Sequence, residues 1–262
     1  MDVQVIQHQE MTMRYICFGD PAGQPFVIIP GVAVRSVMES AGMIEKQYRR
    51  FAERFHVYVF DRREDLPEPY GISRMAEDTA RAMEALSIRD AALYGVSQGG
   101  MIAQLIAARY PALVRRLALC STAPVITEKA AAVLAEWRRL AAEKKTPELM
   151  LSFAENVYSP TYAERYRAAF LTFAELVTDE DLQRFLRMVN GMEQLDLREE
   201  IAGIGCPVLV IGAGKDRIFD VASAEEIARI TGGEVCIYPD AAHGVYDEEA
   251  GVLEKLLRFL EA

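Results

Sequence analysis

The run Gly95-Val96-Ser97-Gln98-Gly99-Gly100 constrains this chain more than any other stretch of it. A short apolar segment, Ala91-Ala92-Leu93-Tyr94, leads in, and a helical pattern from Met101 to Ala108 leads out. A strand that turns sharply into a helix strains the residue at the tip and exposes its side chain. Glycines two before and two after leave room for the neighbouring backbone. Ser97 is that tip residue, and the following helix aims its amide N–H groups and positive dipole end at the same spot. A bare G-x-S-x-G recurs by chance, so the flanking strand and helix give it meaning. The plain alternative is a tight turn in which Ser97 is an ordinary polar residue.

A serine hydroxyl is a weak nucleophile at neutral pH and needs a base. The chain has three histidines. His8 lies in a polar N-terminal stretch, and His56 opens the apolar run His56-Val57-Tyr58-Val59-Phe60. Only His243, in Asp240-Ala241-Ala242-His243-Gly244, sits in a small-residue loop just past a strand. A base in turn needs a carboxylate to fix its tautomer. The continuous apolar run Val208-Leu209-Val210-Ile211 reads as a buried parallel strand, and Gly212-Ala213-Gly214-Lys215-Asp216 follows at its end. Ligand chemistry in open α/β sheets collects outside the carboxyl ends of the strands. Asp216 is therefore the expected acid. Asp220 reads as the N-cap of the next helix and Asp240 as a turn former, while Asp247 remains a competitor.

The order Ser97, Asp216, His243 along the chain is similar to that of the α/β-hydrolase fold family, in its small esterase, lactonase and thioesterase branch. Phe26-Val27-Ile28-Ile29-Pro30-Gly31 resembles the family's oxyanion-loop strand. Phe60-Asp61-Arg62-Arg63 resembles its next strand end, and Tyr110-Pro111-Ala112-Leu113-Val114 the stretch after its nucleophile helix. The resemblance implies Ser97 as nucleophile, Asp216 as acid and His243 as base. It also implies an oxyanion hole built from the backbone N–H groups of Gln98 and Val32, with Ala33 the neighbour that could serve instead. The chain departs from the family pattern in having Pro30-Gly31 where His-Gly is usual, and in lacking glycines after Asp61. The implied reaction is hydrolysis of a small carboxylic ester, lactone or thioester through an acyl-enzyme. Carbon–carbon bond hydrolases and cofactor-free haloperoxidases on the same triad are the alternative, and a non-catalytic ligand-binding receptor is the alternative of another class.

Strand patterns near 4–7, 12–18, 26–29 and 57–60 alternate with helical patterns near 43–54 and 73–86. That alternation predicts an α/β fold, a mostly parallel central sheet flanked by helices. From 125 to 203 strand signals vanish. Helical periodicity runs over 128–143, 147–158, 161–176 and 179–194, with Thr127, Thr146, Ser159 and Thr178 as caps. The expected organisation is a hydrolase core of 1–124 and 204–262 with a helical cap of 125–203 inserted before the acid-bearing strand. Of the cap's Trp137, Phe153, Tyr158, Tyr162, Phe170, Phe173, Met188 and Met192, two or three are expected to face a substrate with an apolar acyl or ring portion. A net charge of −10 argues against nucleic acid and anionic membrane as partners. Cys17, Cys120, Cys206 and Cys236 are widely spaced, with neither C-x-x-C nor metal-ligand spacing. No metal and no cofactor are expected, and Gly212-Ala213-Gly214 lacks the third small residue of a nucleotide-binding turn. Widely spaced thiols and an N-terminus without a secretory pattern predict a cytoplasmic protein. The sequence does not indicate an oligomeric state.

Overall fold

Strands β1 (Gln4–His8), β2 (Met11–Gly19) and β3 (Gln24–Ile29) open the chain, followed by α1 (Ala41–Tyr48), β4 (Phe55–Arg63), α2 (Ile72–Ala85), β5 (Ala91–Val96), α3 (Gln98–Arg109) and β6 (Val114–Cys120). After β6 come only helices: α4 (Glu128–Ala142), α5 (Thr146–Val157), α6 (Pro160–Arg165), α7 (Arg167–Glu175), α8 (Asp179–Asn190) and α9 (Arg198–Ile201). The sheet resumes with β7 (Val208–Ala213), α10 (Val221–Thr231), β8 (Glu234–Tyr238), α11 (Val245–Glu248) and α12 (Ala250–Glu261). This is a computed structural model, and it describes residues 1–262.

The eight strands form one sheet in the order β1-β2-β4-β3-β5-β6-β7-β8. Pairings β1–β2 and β2–β4 are antiparallel, and every later pairing is parallel. Alternate side chains divide between the two faces. Val27, Ile29, Leu93, Leu117, Leu119 and Val210 pack under α2, α3 and α10, as Met75, Met83, Ile102, Ile106 and Ile227 do from the helices. Phe26, Ile28, Tyr94, Ala118, Leu209 and Ile211 face α1 and α12, meeting Tyr48, Val252, Leu256 and Leu260. Both faces of β5 and β7 are therefore buried, which is why those strands read as unbroken apolar runs.

The chain crosses from β3 to β4 on one side of the sheet and then returns past β3 to β5 on the other. The carboxyl ends of β3 and β5 thus flank a topological switch point, where crossovers diverge and leave a crevice. Ile29 pairs with Gly95, so the loop after β3 emerges beside Ser97. Gly95 lets α3 pack tightly behind the turn: a Cβ there would lie 2.5 Å from the Gly99 carbonyl oxygen and 2.7 Å from the Ala103 Cβ.

Thr127, Ser159 and Thr178 cap α4, α6 and α8 as expected, and Thr178 forms a full capping box with Asp181. Two expectations are corrected. Thr146 lies inside α5, whose N-cap is Lys145 without a side-chain bond. The helix expected over 161–176 is broken at Tyr166 into α6 and α7. Tyr162 and Phe170, on either side of the break, both pack on Tyr158, with ring centroids 4.4 and 5.8 Å away. A straight helix would hold those two residues about 12 Å apart along its axis. The helical stretch leaves and rejoins the sheet at one point, stitched by Leu197 N–H to the Pro124 carbonyl (2.7 Å) and Ile126 N–H to the Leu195 carbonyl (3.1 Å).

Replacing Gly95 with Ala forces β5 and α3 apart. Overpacking of this kind costs about 1–3 kcal/mol, so urea unfolding of Gly95→Ala should show a lower midpoint with an unchanged slope. An unchanged midpoint would mean that the helix is not held against the strand as described.

Candidate active site

Ser97 stands between β5 and α3 with φ 52° and ψ −120°. A left-handed backbone is costly for a residue with a Cβ and persists only where its surroundings enforce it. Here α3 enforces it by pressing its first turn onto the loop after β3. A Cβ on Gly99 would lie 2.0 Å from the Ile29 carbonyl oxygen and 2.5 Å from that of Pro30. On the open side, the Gly31 α-carbon faces the Ser97 side chain, since a Cβ on Gly31 would sit 3.3 Å from the Ser97 Cβ.

The end of β6 ties this turn to the histidine loop. Ser97 N–H donates to the Cys120 carbonyl (2.9 Å), and Thr122 Oγ1 donates to the Ser97 carbonyl (2.7 Å). Between them, Ser121 Oγ donates to the His243 carbonyl (2.7 Å). His243 Nδ1 lies 2.8 Å from Asp216 Oδ2, with both side chains almost fully buried. Asp216 is fixed from its other oxygen, where Oδ1 accepts from the amides of Ile218 (2.7 Å) and Phe219 (2.9 Å). A carboxylate on Nδ1 holds the imidazole in the tautomer that leaves Nε2 as a proton acceptor. The Ser97 hydroxyl is not hydrogen-bonded to the imidazole in the rotamers present, and such contacts often tighten only with substrate. The rival acids are placed elsewhere. Asp220 caps α10, accepting from the Ser223 amide, and Asp240 pairs with Lys215 at the surface. Asp247 bonds Gln47 and Tyr158.

Gln98 is the first residue of α3, where a backbone amide has no intrahelical partner. Val32, in the loop after β3, is buried, and it lines one cavity while Ala33 lines two. The two loops are joined by a residue to which the sequence reading gave no role. Arg62, at the end of β4 and fully buried, donates from one Nη2 to the Pro30 carbonyl (2.8 Å) and to Gln98 Oε1 (3.1 Å). Burial lowers the Arg62 pKa to about 10, opposed by the charge of Asp61, so the guanidinium stays charged at neutral pH. Asp61 accepts in turn from Ser36 Oγ (2.5 Å) and Arg184 Nη2 (3.1 Å). Arg62 thereby braces a loop that lacks the histidine found there in the resembled family. The signal was present in Phe60-Asp61-Arg62-Arg63, where charges begin before the strand that carries the apolar run has ended. The partners of those charges come from distant chain.

Beside this rim lie two adjoining cavities of about 270 and 230 Å³ that share Ala33, Val37, Ser40, Ile44 and Phe153. Four of the expected aromatic residues line them: Phe153, Tyr158, Phe170 and Phe173. Trp137, Met188 and Met192 are instead core residues, with Trp137 stacked on Phe153 at 4.8 Å. Tyr162 stacks behind Tyr158. No group of three His, Cys, Asp or Glu side chains is arranged to hold a metal ion, and no helix is long and apolar enough to cross a membrane.

The chain is similar to known proteins. The chain is 23% identical over 225 residues to 3-oxoadipate enol-lactonase 2 of Acinetobacter baylyi, covering 83% of this chain and 80% of that one. It is 27% identical over 203 residues to the AB hydrolase superfamily protein YisY of Bacillus subtilis, covering 72% and 73%. The crystal structure of the enol-lactonase from Burkholderia xenovorans LB400 superposes with a TM-score of 0.85 at 23% identity, over 99% of this chain and 100% of that one. A sequence model of the alpha/beta hydrolase fold matches residues 24–250, and the chain belongs to that family of hydrolases.

Proposed function

We propose that this hydrolase is a serine enzyme that cleaves a small carboxylic ester, lactone or thioester through an acyl-enzyme. Ser97 Oγ attacks the carbonyl carbon while His243 Nε2 takes the hydroxyl proton. The tetrahedral oxyanion is held by the backbone N–H groups of Gln98 and Val32. His243 then gives its proton to the leaving oxygen or sulfur as that bond breaks. Water, deprotonated by the same nitrogen, attacks the acyl-serine, and His243 returns that proton to Ser97 Oγ as the acyl–oxygen bond breaks and the acid leaves. Asp216 orients the imidazole and stabilises its charged form. The observation that carries this reading is the buried Asp216–His243 pair, 2.8 Å apart, on the same sheet rim as a serine held at φ 52°.

The helices of 125–203 act in this reading as a cap that excludes water and walls the acyl pocket. The apolar lining from Phe153, Phe170 and Phe173 fits an acyl chain or ring. The similarity to a protein named 3-oxoadipate enol-lactonase favours a lactone or ester over other acyl donors.

A fluorophosphonate should label the chain once, at Ser97, by intact mass and peptide mapping. Labelling that persists in Ser97→Ala would refute the nucleophile, and a folded wild-type chain that resists the probe would favour a ligand-binding role.

Asp216→Asn keeps the shape of the pair but permits the wrong tautomer, so kcat on a p-nitrophenyl ester should drop by about two to four orders of magnitude. An unaltered kcat would move the acid elsewhere.

Arg62→Lys keeps the charge but cannot reach two acceptors from a planar fork. Its kcat should fall about 10- to 100-fold with KM little changed, because the oxyanion donors act chiefly in the transition state. A change confined to KM would give Arg62 a binding role instead.

A further inference from the structure

The larger of the two cavities runs from the Gly31–Ala33 loop to a carboxylate that the proposed triad does not use. Asp247 lies in α11, one turn beyond His243, and its amide donates to the Gly244 carbonyl (2.9 Å). Two separate elements fix its side chain. Gln47 of α1 donates from Nε2 to Oδ1 (2.8 Å) and also to the Tyr246 carbonyl (3.2 Å). Tyr158, at the end of α5, donates from its hydroxyl to Oδ2 (3.0 Å). Tyr158 is itself wedged against the histidine loop, since a Cβ on Gly244 would come within 2.6 Å of its ring.

A carboxylate has about four lone-pair sites, so two donors leave Asp247 spare acceptor capacity at the cavity it lines. Asp247 is exposed, and the protein around it raises its carboxyl above the usual range by desolvation. Neither Lys nor Arg lines this cavity. In the adjoining one the single cation, Arg35, is paired with Glu39 (2.5 Å) and reaches towards Asp181 (3.6 Å), and Glu39 lines the same space. The lining therefore carries a negative balance among largely apolar walls.

We propose that Asp247 is a specificity-determining residue that selects acyl groups ending in a hydroxyl, amide or ammonium donor and rejects those ending in a carboxylate. This rests on the hydrolase reading above and names the substrate class of the same site. A donor-ended chain shares a proton with the free lone pairs of Asp247. A carboxylate-ended chain meets a like charge with no cation to offset it.

The test uses p-nitrophenyl esters of straight-chain acids of graded length, each ending in methyl, hydroxyl, ammonium or carboxylate. The wild-type kcat/KM for the carboxylate series should lie at least about 10-fold below the methyl series, with the donor-ended series above it. Asp247→Asn, nearly isosteric, should close the carboxylate gap by about 10-fold while changing the methyl series less than about 3-fold. Gln47→Lys, which supplies a cation to the same carboxylate, should close it as well and serves if Asp247→Asn does not fold. A gap that neither variant narrows, or a wild-type preference for carboxylate ends, overturns the proposal. Titrating Ser97→Ala with the same esters by calorimetry separates the two readings. If that variant binds in the proposed order while the wild type hydrolyses nothing, the selectivity stands and the serine-hydrolase reading falls. Hydrolysis with Ser97 labelled but no dependence on the chain end sinks the selectivity alone.

Discussion

Ser121 and Thr122 tie the turn after β5 to the histidine loop after β8. One hydroxyl bonds the carbonyl of His243, the other that of Ser97, and the neighbouring Cys120 carbonyl takes the Ser97 amide. Strand β6 lies between β5 and β7, so its end is the natural bridge between the turn after one and the loops after the other. Hydrogen bonds to backbone rather than side-chain atoms fix the loops while leaving the Ser97 hydroxyl and the outer imidazole nitrogen free. The strained serine backbone depends on this arrangement, because an isolated turn would relax it. Two small hydroxyl residues thus do what a longer side chain could do only by entering the crevice.

A second set of contacts couples the helices of 125–203 to the same turn. Gln98 lies under α8, with its amide nitrogen donating to the Met188 carbonyl (2.9 Å) and its oxygen accepting from Arg62. Arg184 of α8 donates to Asp61 and to the Arg62 carbonyl (3.0 Å). Arg187 donates to the Leu66 carbonyl (2.8 Å). Burying guanidinium groups is costly unless their donors are used, and a partner lost on α8 would leave a charge stranded beneath Gln98. The position of α8 and the geometry of the loop after β3 are therefore linked through charge as well as through apolar packing. These helices could not open widely without disturbing Gln98 and the loop after β3.

Much of the architecture was legible in the chain itself, because a buried parallel strand has to be apolar on both faces and a helix has to show its period. Val208–Ile211 and Ala91–Tyr94 could be nothing else, and Thr178-x-x-Asp181 marks a helix start from four residues alone. Position relative to strand ends also pointed to Ser97, Asp216 and His243, since α/β sheets leave their crevices there. The break at Tyr166 was not legible: local periodicity favours one helix, and only packing against Tyr158 splits it. The role of Arg62 is not legible from its strand-end motif, because its acceptors lie 32 and 36 residues away. By sequence Asp247 competes as an acid for His243, and only the fold gives it Gln47, 200 residues earlier, and Tyr158 as partners. Elements and their order follow from short-range sterics and burial, which each residue carries with it. The brace beneath the loop after β3, the cavity walls and the partners of Asp247 exist only once distant segments close on one another, because hydrogen-bond partners are chosen by proximity in space.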